Sequence, residues 1–342
     1  MKLRLFFVIG AFLLLSVGCA QKEAGDGYKL VWEDDFNDEA LNTSVWTAET
    51  SGRGGGNAEM QYYIPEAATI EVHPVTGVTC LVLNAQKANY EGECGQRPAT
   101  SARLNTQDKM TFTYGKLEVR AHVPNTADGL WPAFWMVGND LMPNLGCDDS
   151  VDRTPLEELE RLGRVIWPKC GEIDLLEMGN ANGIKNGTQD RYFNGALHWG
   201  EAFNDGRYPN FSMSKTADYS LQDGFHLWTL VWTPDSIKMY LDVDEFPDTA
   251  PYFKMAIAGD GEPNDVSAYF HKPFYMILNL AVGGFFTGIP APEKYPTVIT
   301  EDCEQFQKIT ALPGDGTPAK MYVDYVRLYQ KGDEGETFNL SK

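Results

Sequence analysis

Short segments with the hydrophobic period of a β-strand recur along most of this chain. Apolar and polar residues alternate in three of them: 116–123 (KLEVRAHV), 237–243 (IKMYLDV) and 321–329 (MYVDYVRLY). Segments 227–232 and 274–282 are apolar throughout, as expected of strands buried on both faces. Gly, Pro, Asn and Asp residues bound the segments, and few helical periods interrupt them. The pattern predicts an all-β domain over 28–331, an antiparallel sandwich of two sheets, followed by a short tail over 332–342.

The charge of the chain excludes one large class of partners. The sequence has 28 Lys and Arg residues against 48 Asp and Glu residues, which gives a net charge of −20. A protein that binds nucleic acid presents a basic surface to the phosphates, and the few cations of this chain are not clustered. We therefore expect no nucleic-acid partner. The chain is 43% hydrophobic, which is enough to form a core.

The N-terminal segment has the pattern of an export signal. Two basic residues precede an apolar run over 5–17, which is too short to span a bilayer as a helix. The run ends in a glycine followed by Cys19, and this junction resembles the cleavage box of bacterial lipoproteins. We expect a signal peptide over 1–18, a lipid anchor on Cys19, a tether over 19–27 and attachment to the bacterial cell envelope. An ordinary signal peptide cleaved nearby is the alternative.

Five further cysteines lie in the exported part of the chain: Cys80, Cys94, Cys147, Cys170 and Cys303. An odd number cannot all pair, and the sequence leaves the pairing open. A bridge between Cys147 and Cys170 would pin the loop between them and would stabilise the fold by about 3 kcal/mol. Neither the cysteine spacings nor the scattered histidines indicate a zinc site.

One short helix is predicted, inside an insertion over about 139–166. Thr154 has the residue type of a helix cap, Pro155 suits the first helical position, and Glu157 follows three residues after the cap. Gly163 predicts the end of this helix. The insertion matters because the next segment carries the candidate chemistry.

That segment is 171–178 (GEIDLLEM), which holds three acids on an otherwise apolar strand. In a strand Glu172 and Asp174 share a face, whereas a strict period of two would turn Glu177 into the core. A one-residue bulge at Leu175–Leu176 would restore all three acids to one side, and bulges are frequent beside active sites. The α-carbons of the two Glu residues would then be about 13 Å apart. Side chains leaning towards each other would bring the carboxyls to the ~5 Å separation of a retaining glycosidase. A solvated acidic edge strand is the alternative interpretation.

Motifs along the whole mature chain support the catalytic interpretation. The acidic motif 172–177 is preceded by a tryptophan-rich segment over 129–136 (GLWPAFWM). Further motifs are 57–63 (NAEMQYY), 101–103 (SAR), 114–118 (YGKLE), 167–168 (WP), 197–199 (LHW), 278–284 (LNLAVGG) and 323–327 (VDYVR). Together these segments resemble glycoside hydrolase family 16, and within it the laminarinase-like group.

The resemblance implies a jelly-roll sandwich whose concave face is an open cleft for a polysaccharide. Internal β-linkages would be cleaved with retention at the anomeric carbon. Glu172 would be the nucleophile, Glu177 the general acid and then base, and Asp174 the residue that assists the nucleophile. The charges of Glu172 and Asp174 are expected to raise the pKa of Glu177. No cofactor is required for this chemistry, and we expect a monomer.

Six residues are candidates for substrate contacts. Trp131, Trp135 and Trp199 are the candidate sugar-stacking rings, and Arg103, Asn57 and His198 are the candidate polar contacts. Core packing is the alternative for each tryptophan, and it is the expected role of Trp46, Trp228 and Trp232. The resemblance also implies a possible structural calcium ion held by Glu33 and Asp324.

The substrate is the least determined feature. Laminarin-type β-1,3-glucan is the first expectation. An endo-β-galactosidase acting on β-1,4-galactosyl linkages of host O-glycans or poly-N-acetyllactosamine is the alternative, and agar-type or other β-glycans are further candidates. Two departures from the β-1,3-glucanase pattern motivate these alternatives: the insertion before Glu172, and the stretch after the acidic motif, 179–198, which does not follow the His and Thr pattern common in β-1,3-glucanases. A surface glycan-binding protein without catalysis is a lesser alternative.

Overall fold

The structure of this protein is a computed structural model, which describes residues 27–143, 147, 154–203, 206–295 and 297–341. The predicted signal peptide and Cys19, together with most of the predicted tether, lie outside the described residues. Among the residues that are described, no helix has the length and apolar character needed to cross a membrane.

The described residues form nineteen strands and three short α-helices. In chain order the strands are β1 (Lys29–Asp34), β2 (Thr47–Ala48), β3 (Gln61–Tyr63), β4 (Ala68–Val72), β5 (Thr79–Gly92), β6 (Gly95–Ser101), β7 (Arg103–Asn105), β8 (Met110–Thr113), β9 (Gly115–His122), β10 (Leu130–Gly138), β11 (Glu172–Met178), β12 (Tyr192–His198), β13 (Asn210–Thr216), β14 (His226–Trp232), β15 (Ser236–Leu241), β16 (Phe253–Ala256), β17 (Phe274–Val282), β18 (Ala319–Gln330) and β19 (Thr337–Leu340). The helices are α1 (Leu156–Leu162), α2 (Ala181–Asn186) and α3 (Glu304–Gln307).

The strands are arranged in two sheets. The sheet that carries the acids, here called the site sheet, has the order β13-β12-β11-β10-β17-β7-β2, with β8 paired to β17 and β19 paired to β8. The other, called the back sheet, has the order β16-β15-β14-β9-β18-β5-β6-β3, with β1 on β18 and β4 on β5. Apart from β3 and β6, which are parallel, the paired strands are antiparallel. The prediction of an all-β sandwich of two antiparallel sheets is confirmed.

The core lies between the sheets, where the inward faces of their strands meet. Phe134 of the site sheet packs edge-on against Trp228 of the back sheet, with ring centroids 5.4 Å apart. Trp46, Trp228 and Trp232 are each at most 1% exposed, so their predicted core role is confirmed. Removing such large apolar side chains from water is the main stabilising contribution to a sandwich of this kind.

The predicted strands are confirmed, with small differences at their ends. The uniformly apolar segment 274–282 coincides with β17, and all of its residues are buried. The alternating segments correspond to β9, β15 and β18, whose ends differ from the predictions by one or two residues. Strand ends depend on the partner strands as well as on local sequence, so this difference is expected.

The predicted helix in the insertion begins one residue later than expected. Its N-cap position is Pro155, which provides no side-chain cap, so the prediction that Thr154 caps the helix is wrong. Its end at Gly163 is confirmed, because this glycine has the left-handed backbone (φ 63°) that ends many helices. Helices α2 and α3 were not predicted. The N-cap of α2 is Asn180, whose side chain accepts a hydrogen bond from the amide of Asn182.

One further expectation is corrected. Residues 332–342 were expected to be a tail, but β19 lies within them and pairs with β8. The cysteine pairing, which the sequence leaves open, is between Cys94 and Cys147, with their α-carbons 5.0 Å apart. Cys94 lies in the turn between β5 and β6, which places it beside the insertion, whereas Cys170 is fully buried next to the start of β11. Cys80 and Cys303 are also unpaired.

Candidate active site

The three acids lie on β11, and a bulge in this strand puts them on one face. Against β10, Trp135 pairs with Asp174 and Phe134 pairs with Leu176, so Leu175 has no partner. Against β12 the register likewise shifts between Asp174 and Glu177. Leu175 and Leu176 are both buried in the core. The predicted one-residue bulge is confirmed, and it lets the acids face outward while the leucines between them face inward.

Each Glu residue has its own hydrogen-bond donor. The indole Nε1 of Trp167 donates to Glu172 Oε2 at 3.0 Å. The side-chain amide of Asn194 on β12 donates to Glu177 Oε2 at 2.7 Å. Asn194 is directly opposite Glu177 in the antiparallel pair. These donors fix the orientation of both carboxyls from opposite ends of the strand.

His198 completes the group around Glu172. Its Nε2 lies 3.2 Å from Asp174 Oδ2 and 3.9 Å from Glu172 Oε1, and its Nδ1 lies 3.2 Å from the Tyr208 hydroxyl. Potential ligand atoms of Glu172, Asp174 and His198 lie within 4.8 Å of one another. A metal ion at this position would occupy the carboxylate assigned here to the nucleophile. We therefore assign His198 and Asp174 to the polar surroundings of Glu172.

Burial raises the pKa of all three acids. The pKa of Glu172 is raised to about 8, first by burial and then by the charge of Asp174. The pKa of Glu177 is also raised to about 8, for the same two reasons in the same order. Burial raises the pKa of Asp174 well above its usual range. Neighbouring carboxyls that are kept from water resist being ionised together, so these acids retain protons near neutral pH.

Predicted substrate residues extend the same face across the neighbouring strands. Trp131 and Trp135 on β10 are half-buried and alternate with inward-facing residues. Asn279 on β17 pairs with Arg103 on β7 and accepts a hydrogen bond from Trp135 Nε1 at 2.7 Å. The Arg103 guanidinium lies 4.9 Å from the centre of the Trp135 ring. The polar and aromatic row therefore continues from the acids towards β7.

Trp131 and Arg103 also contact other side chains of the protein. Phe286 stacks on Trp131 at a centroid distance of 4.6 Å and an angle of 12°. Arg103 Nε donates to Glu49 Oε1 at 3.1 Å. A sugar at this face would meet the remaining ring surface of Trp131 and Trp135, framed by these supporting contacts.

The structure does not place all six predicted contacts at the cleft face. Trp199 is 6% exposed, packs against Phe270 in the core and donates to the backbone carbonyl of Asn264, so its prediction as a sugar-stacking ring is wrong. The physical reason is the period of a strand, because His198 faces the acids and its neighbour must face the opposite side. Asn57 is half-buried in the loop before β3, where its side-chain amide donates to the carbonyl of Gly55.

Sequence reasoning missed three residues of the site. Asn194 is two strand periods from His198, so the alternation of β12 could have identified it. Trp167 was noted as part of a motif, but its bond to Glu172 depends on the fold of the insertion. Tyr208 lies in the loop before β13, where no sequence pattern indicates contact with His198.

An aromatic wall made by Trp167, Phe203 and Tyr208 stands beside Glu172. The Trp167 ring lies 4.7 Å from Tyr208 and 5.6 Å from Phe203, centre to centre. The ammonium of Lys294 lies 5.1 Å from the centre of the Phe203 ring. Trp167 directly follows the insertion, so the insertion shapes one side of the site.

The predicted calcium residues do not fit a calcium site. Glu33 on β1 accepts two hydrogen bonds from Arg327, at 3.0 and 2.9 Å. Asp324 on β18 pairs with Arg120 at 2.5 Å. A calcium ion requires six to eight oxygen ligands, and here each carboxylate is already neutralised by an arginine.

Comparison with known proteins identifies relatives over nearly the whole chain. A scan against models of protein families gives no match. A beta-glucanase of Rhodothermus marinus is 30% identical over 339 residues, covering 96% of this chain and 97% of that protein. Glucan endo-1,3-beta-glucosidase A1 of Niallia circulans is 30% identical over 93% of this chain, which spans 40% of that protein's length. A keratan-sulfate endo-1,4-beta-galactosidase of Sphingobacterium multivorum is 26% identical. The match covers 89% of this chain and 55% of that protein.

Solved structures agree with these relatives. A mixed-linkage glucan GH16 protein of Bacteroides ovatus, solved in complex with a product, superposes with a TM-score of 0.64 and 29% identity. The match covers 87% of this chain and all of that chain.

Proposed function

Because the chain belongs to glycoside hydrolase family 16, and to its laminarinase-like group, we propose that it is an endo-acting, retaining glycosidase. It would cleave internal β-linkages of a polysaccharide. The observation that carries the proposal is the bulged β11 strand, which presents Glu172, Asp174 and Glu177 on one face. With the bulge, the estimated separation of the two Glu carboxyls is the ~5 Å of retaining enzymes.

The two Glu residues divide the reaction between them. Glu172, which faces the Trp167 donor and His198, reacts as the carboxylate, and its oxygen attacks the anomeric carbon. Glu177 donates its proton to the oxygen of the departing sugar as the glycosidic bond breaks. In the second step Glu177, now a carboxylate, takes a proton from water as the water oxygen attacks the anomeric carbon. The ester bond to Glu172 breaks, and the carboxylate is regenerated.

Asp174 acts as a proton-holding neighbour in this scheme. It is 4% exposed, the least exposed of the three acids, so it is the one for which ionisation costs most. In its protonated form Asp174 can donate a hydrogen bond to the Glu172 carboxylate, and only in its ionised form does its charge raise the pKa of the two Glu residues. Burial of Asp174 therefore supports an ionised nucleophile beside a protonated Glu177.

We propose laminarin-type β-1,3-glucan as the substrate. The proposal is supported by the glucanase names of the two 30%-identical relatives and by half-buried tryptophans beside the acids. Endo-β-galactosidase activity is the second candidate. The insertion that directly precedes Trp167, which bonds Glu172, favours it, as does the relative named a keratan-sulfate endo-1,4-beta-galactosidase.

Parallel digestion separates these candidates. The wild-type protein would be incubated with laminarin, mixed-linkage glucan and poly-N-acetyllactosamine, and the products sized over time. We expect laminarin to be shortened to oligosaccharides of intermediate length. Cleavage of poly-N-acetyllactosamine alone would establish the second candidate. Binding of a glycan without any products would contradict both and would indicate a glycan-binding protein.

A further inference from the structure

The bulge that aligns the acids takes one residue of β11 out of register with both neighbouring strands. Leu175 has no register partner in either β10 or β12. A buried carbonyl without a hydrogen bond costs about 1–3 kcal/mol, so the bulge needs a partner from elsewhere. That partner is the hydroxyl of Tyr252, which donates to the Leu175 carbonyl.

Tyr252 reaches this carbonyl from the back sheet. It precedes β16, its amide donates to the carbonyl of Met239 on β15 at 2.9 Å, and it is 4% exposed. Its ring packs edge-on against Phe193 of β12 at 4.9 Å. Tyr252 therefore contacts both sheets. Its side chain crosses the core, and its hydroxyl reaches the inward face of β11.

Gly195 on β12 leaves the space for this contact. It lies opposite the bulge, between Asn194 and Ala196, which pair with Glu177 and Asp174. A β-carbon at this position would lie 2.6 Å from Met239 Sδ, 3.1 Å from Tyr252 Cε2 and 3.2 Å from the Asp174 carbonyl. The absence of a side chain here allows Tyr252 to approach β11.

We infer that Tyr252 is a positioning residue for catalysis: its hydroxyl, admitted by Gly195, holds the β11 bulge and so sets the position of Glu177 relative to Glu172. The inference rests on the proposed glycosidase function for its kinetic part only. Tyr252 lies beneath the strand and does not touch the substrate. Without its hydroxyl, the Leu175 carbonyl would seek another partner and the strand could shift towards a regular register, which would turn Glu177 away.

The kinetic test uses Tyr252→Phe, which keeps the ring and removes the hydroxyl. We expect kcat on the polysaccharide to fall at least tenfold while KM stays within twofold. Misplacement of Glu177 matters less for a 2,4-dinitrophenyl glycoside, because that leaving group departs without protonation. We expect kcat/KM on that glycoside to fall less than threefold. Gly195→Ala, which presses on Tyr252 from β12, should give the same pattern.

Tyr114→Phe is the matched control. Tyr114 is also buried. Its hydroxyl lies 2.6 Å from His271 Nδ1, and this hydrogen bond does not involve β11. This variant should lose comparable stability and keep kcat within twofold. Equal kcat losses in Tyr252→Phe and Tyr114→Phe, or a Tyr252→Phe enzyme within twofold of wild type, would overturn the inference.

Hydrogen exchange needs no substrate and tests the hydrogen bond by which Tyr252 holds the β11 bulge, here called the brace. Amides of the peptide 172–178 should exchange at least tenfold faster in Tyr252→Phe than in the wild type or in Tyr114→Phe. Unchanged exchange in that peptide would refute the brace even if the enzyme is active. Faster exchange in a protein that cleaves no glycan would support the brace and refute the proposed function.

Discussion

Burial and mutual proximity hold protons on Glu172, Asp174 and Glu177 at a pH where exposed carboxyls have none. The pKa of each Glu is raised to about 8, first by burial and then by the charge of Asp174. Polar donors from Trp167 and Asn194 offset only part of this effect. The site is therefore destabilising to the fold when its acids ionise, which is a common feature of catalytic sites.

This gives a residue-scale prediction for Glu172→Gln and Glu177→Gln. Each should abolish turnover, because glutamine can neither attack nor exchange a proton. Each should also make the protein more stable at pH 8. A carboxyl whose folded pKa is raised binds more protons in the folded state, so its favourable contribution is lost as pH rises from about 4.5 to about 8.

Glutamine does not ionise and avoids this loss. We expect a gain on the order of 1–2 kcal/mol at pH 8 and little gain at pH 4.5, from denaturant unfolding at both pH values. Glu158→Gln, on the exposed helix α1, is the control. If the glutamine variants were less stable than the wild type at pH 8, ionisation of Glu172 and Glu177 would not destabilise the folded protein as we infer.

Strands and bulges are predicted correctly from the sequence where a single local property, such as continuous apolarity, determines the structure. β17 is apolar along its whole length, and the bulge in β11 follows from the need to keep three acids on one face. The disulfide could not be predicted, because the partner of Cys147 depends on where the turn after β5 lies in space. Trp199 was misassigned because the strand period was not applied to it.

The insertion between β10 and β11 is the element expected to set substrate choice. Trp167 at its end bonds Glu172, and Cys147 within it is tied to Cys94. Replacing 141–164 with a short Gly-Ser link should lower kcat/KM on the true polysaccharide at least tenfold, about 1.4 kcal/mol of transition-state binding. A small aryl glycoside should be affected much less.

A milder variant controls for the loss of the disulfide in that deletion. The double variant Cys94→Ser, Cys147→Ser keeps the insertion but removes its disulfide. Its activity on the polysaccharide should lie between those of the wild type and the deletion. Equal losses on polymer and aryl glycoside would mean that the fold was damaged. Unchanged activity on both would place the insertion away from the substrate.

At the scale of the whole molecule, the two sheets have separate tasks. The site sheet carries the acids, whereas the back sheet supplies the Tyr252 hydroxyl and the arginine pairs at Glu33 and Asp324. The Tyr252 hydroxyl therefore connects the back sheet to the strand that carries the acids.

The proposed location concerns the molecule as a whole. We propose that Cys19 is acylated and anchors the sandwich to the cell envelope, which the glycine–cysteine junction after the apolar run supports. Stable anchoring needs more than one acyl chain. Cys19→Ala, expressed in a bacterial host, should move the enzyme from the membrane fraction to the soluble fraction. Continued membrane association of this variant would argue against the anchor.

The proposed mechanism requires Glu172 to form a covalent bond to the sugar, and this bond can be trapped. The wild-type enzyme would be treated with a 2-deoxy-2-fluoro 2,4-dinitrophenyl derivative of its best oligosaccharide substrate, digested and analysed by mass spectrometry. We predict one glycosyl group on the peptide that contains 172–178, located on Glu172 and absent from Glu172→Gln. An adduct on Glu177, or turnover of the polysaccharide to products of inverted configuration with no adduct, would contradict the account.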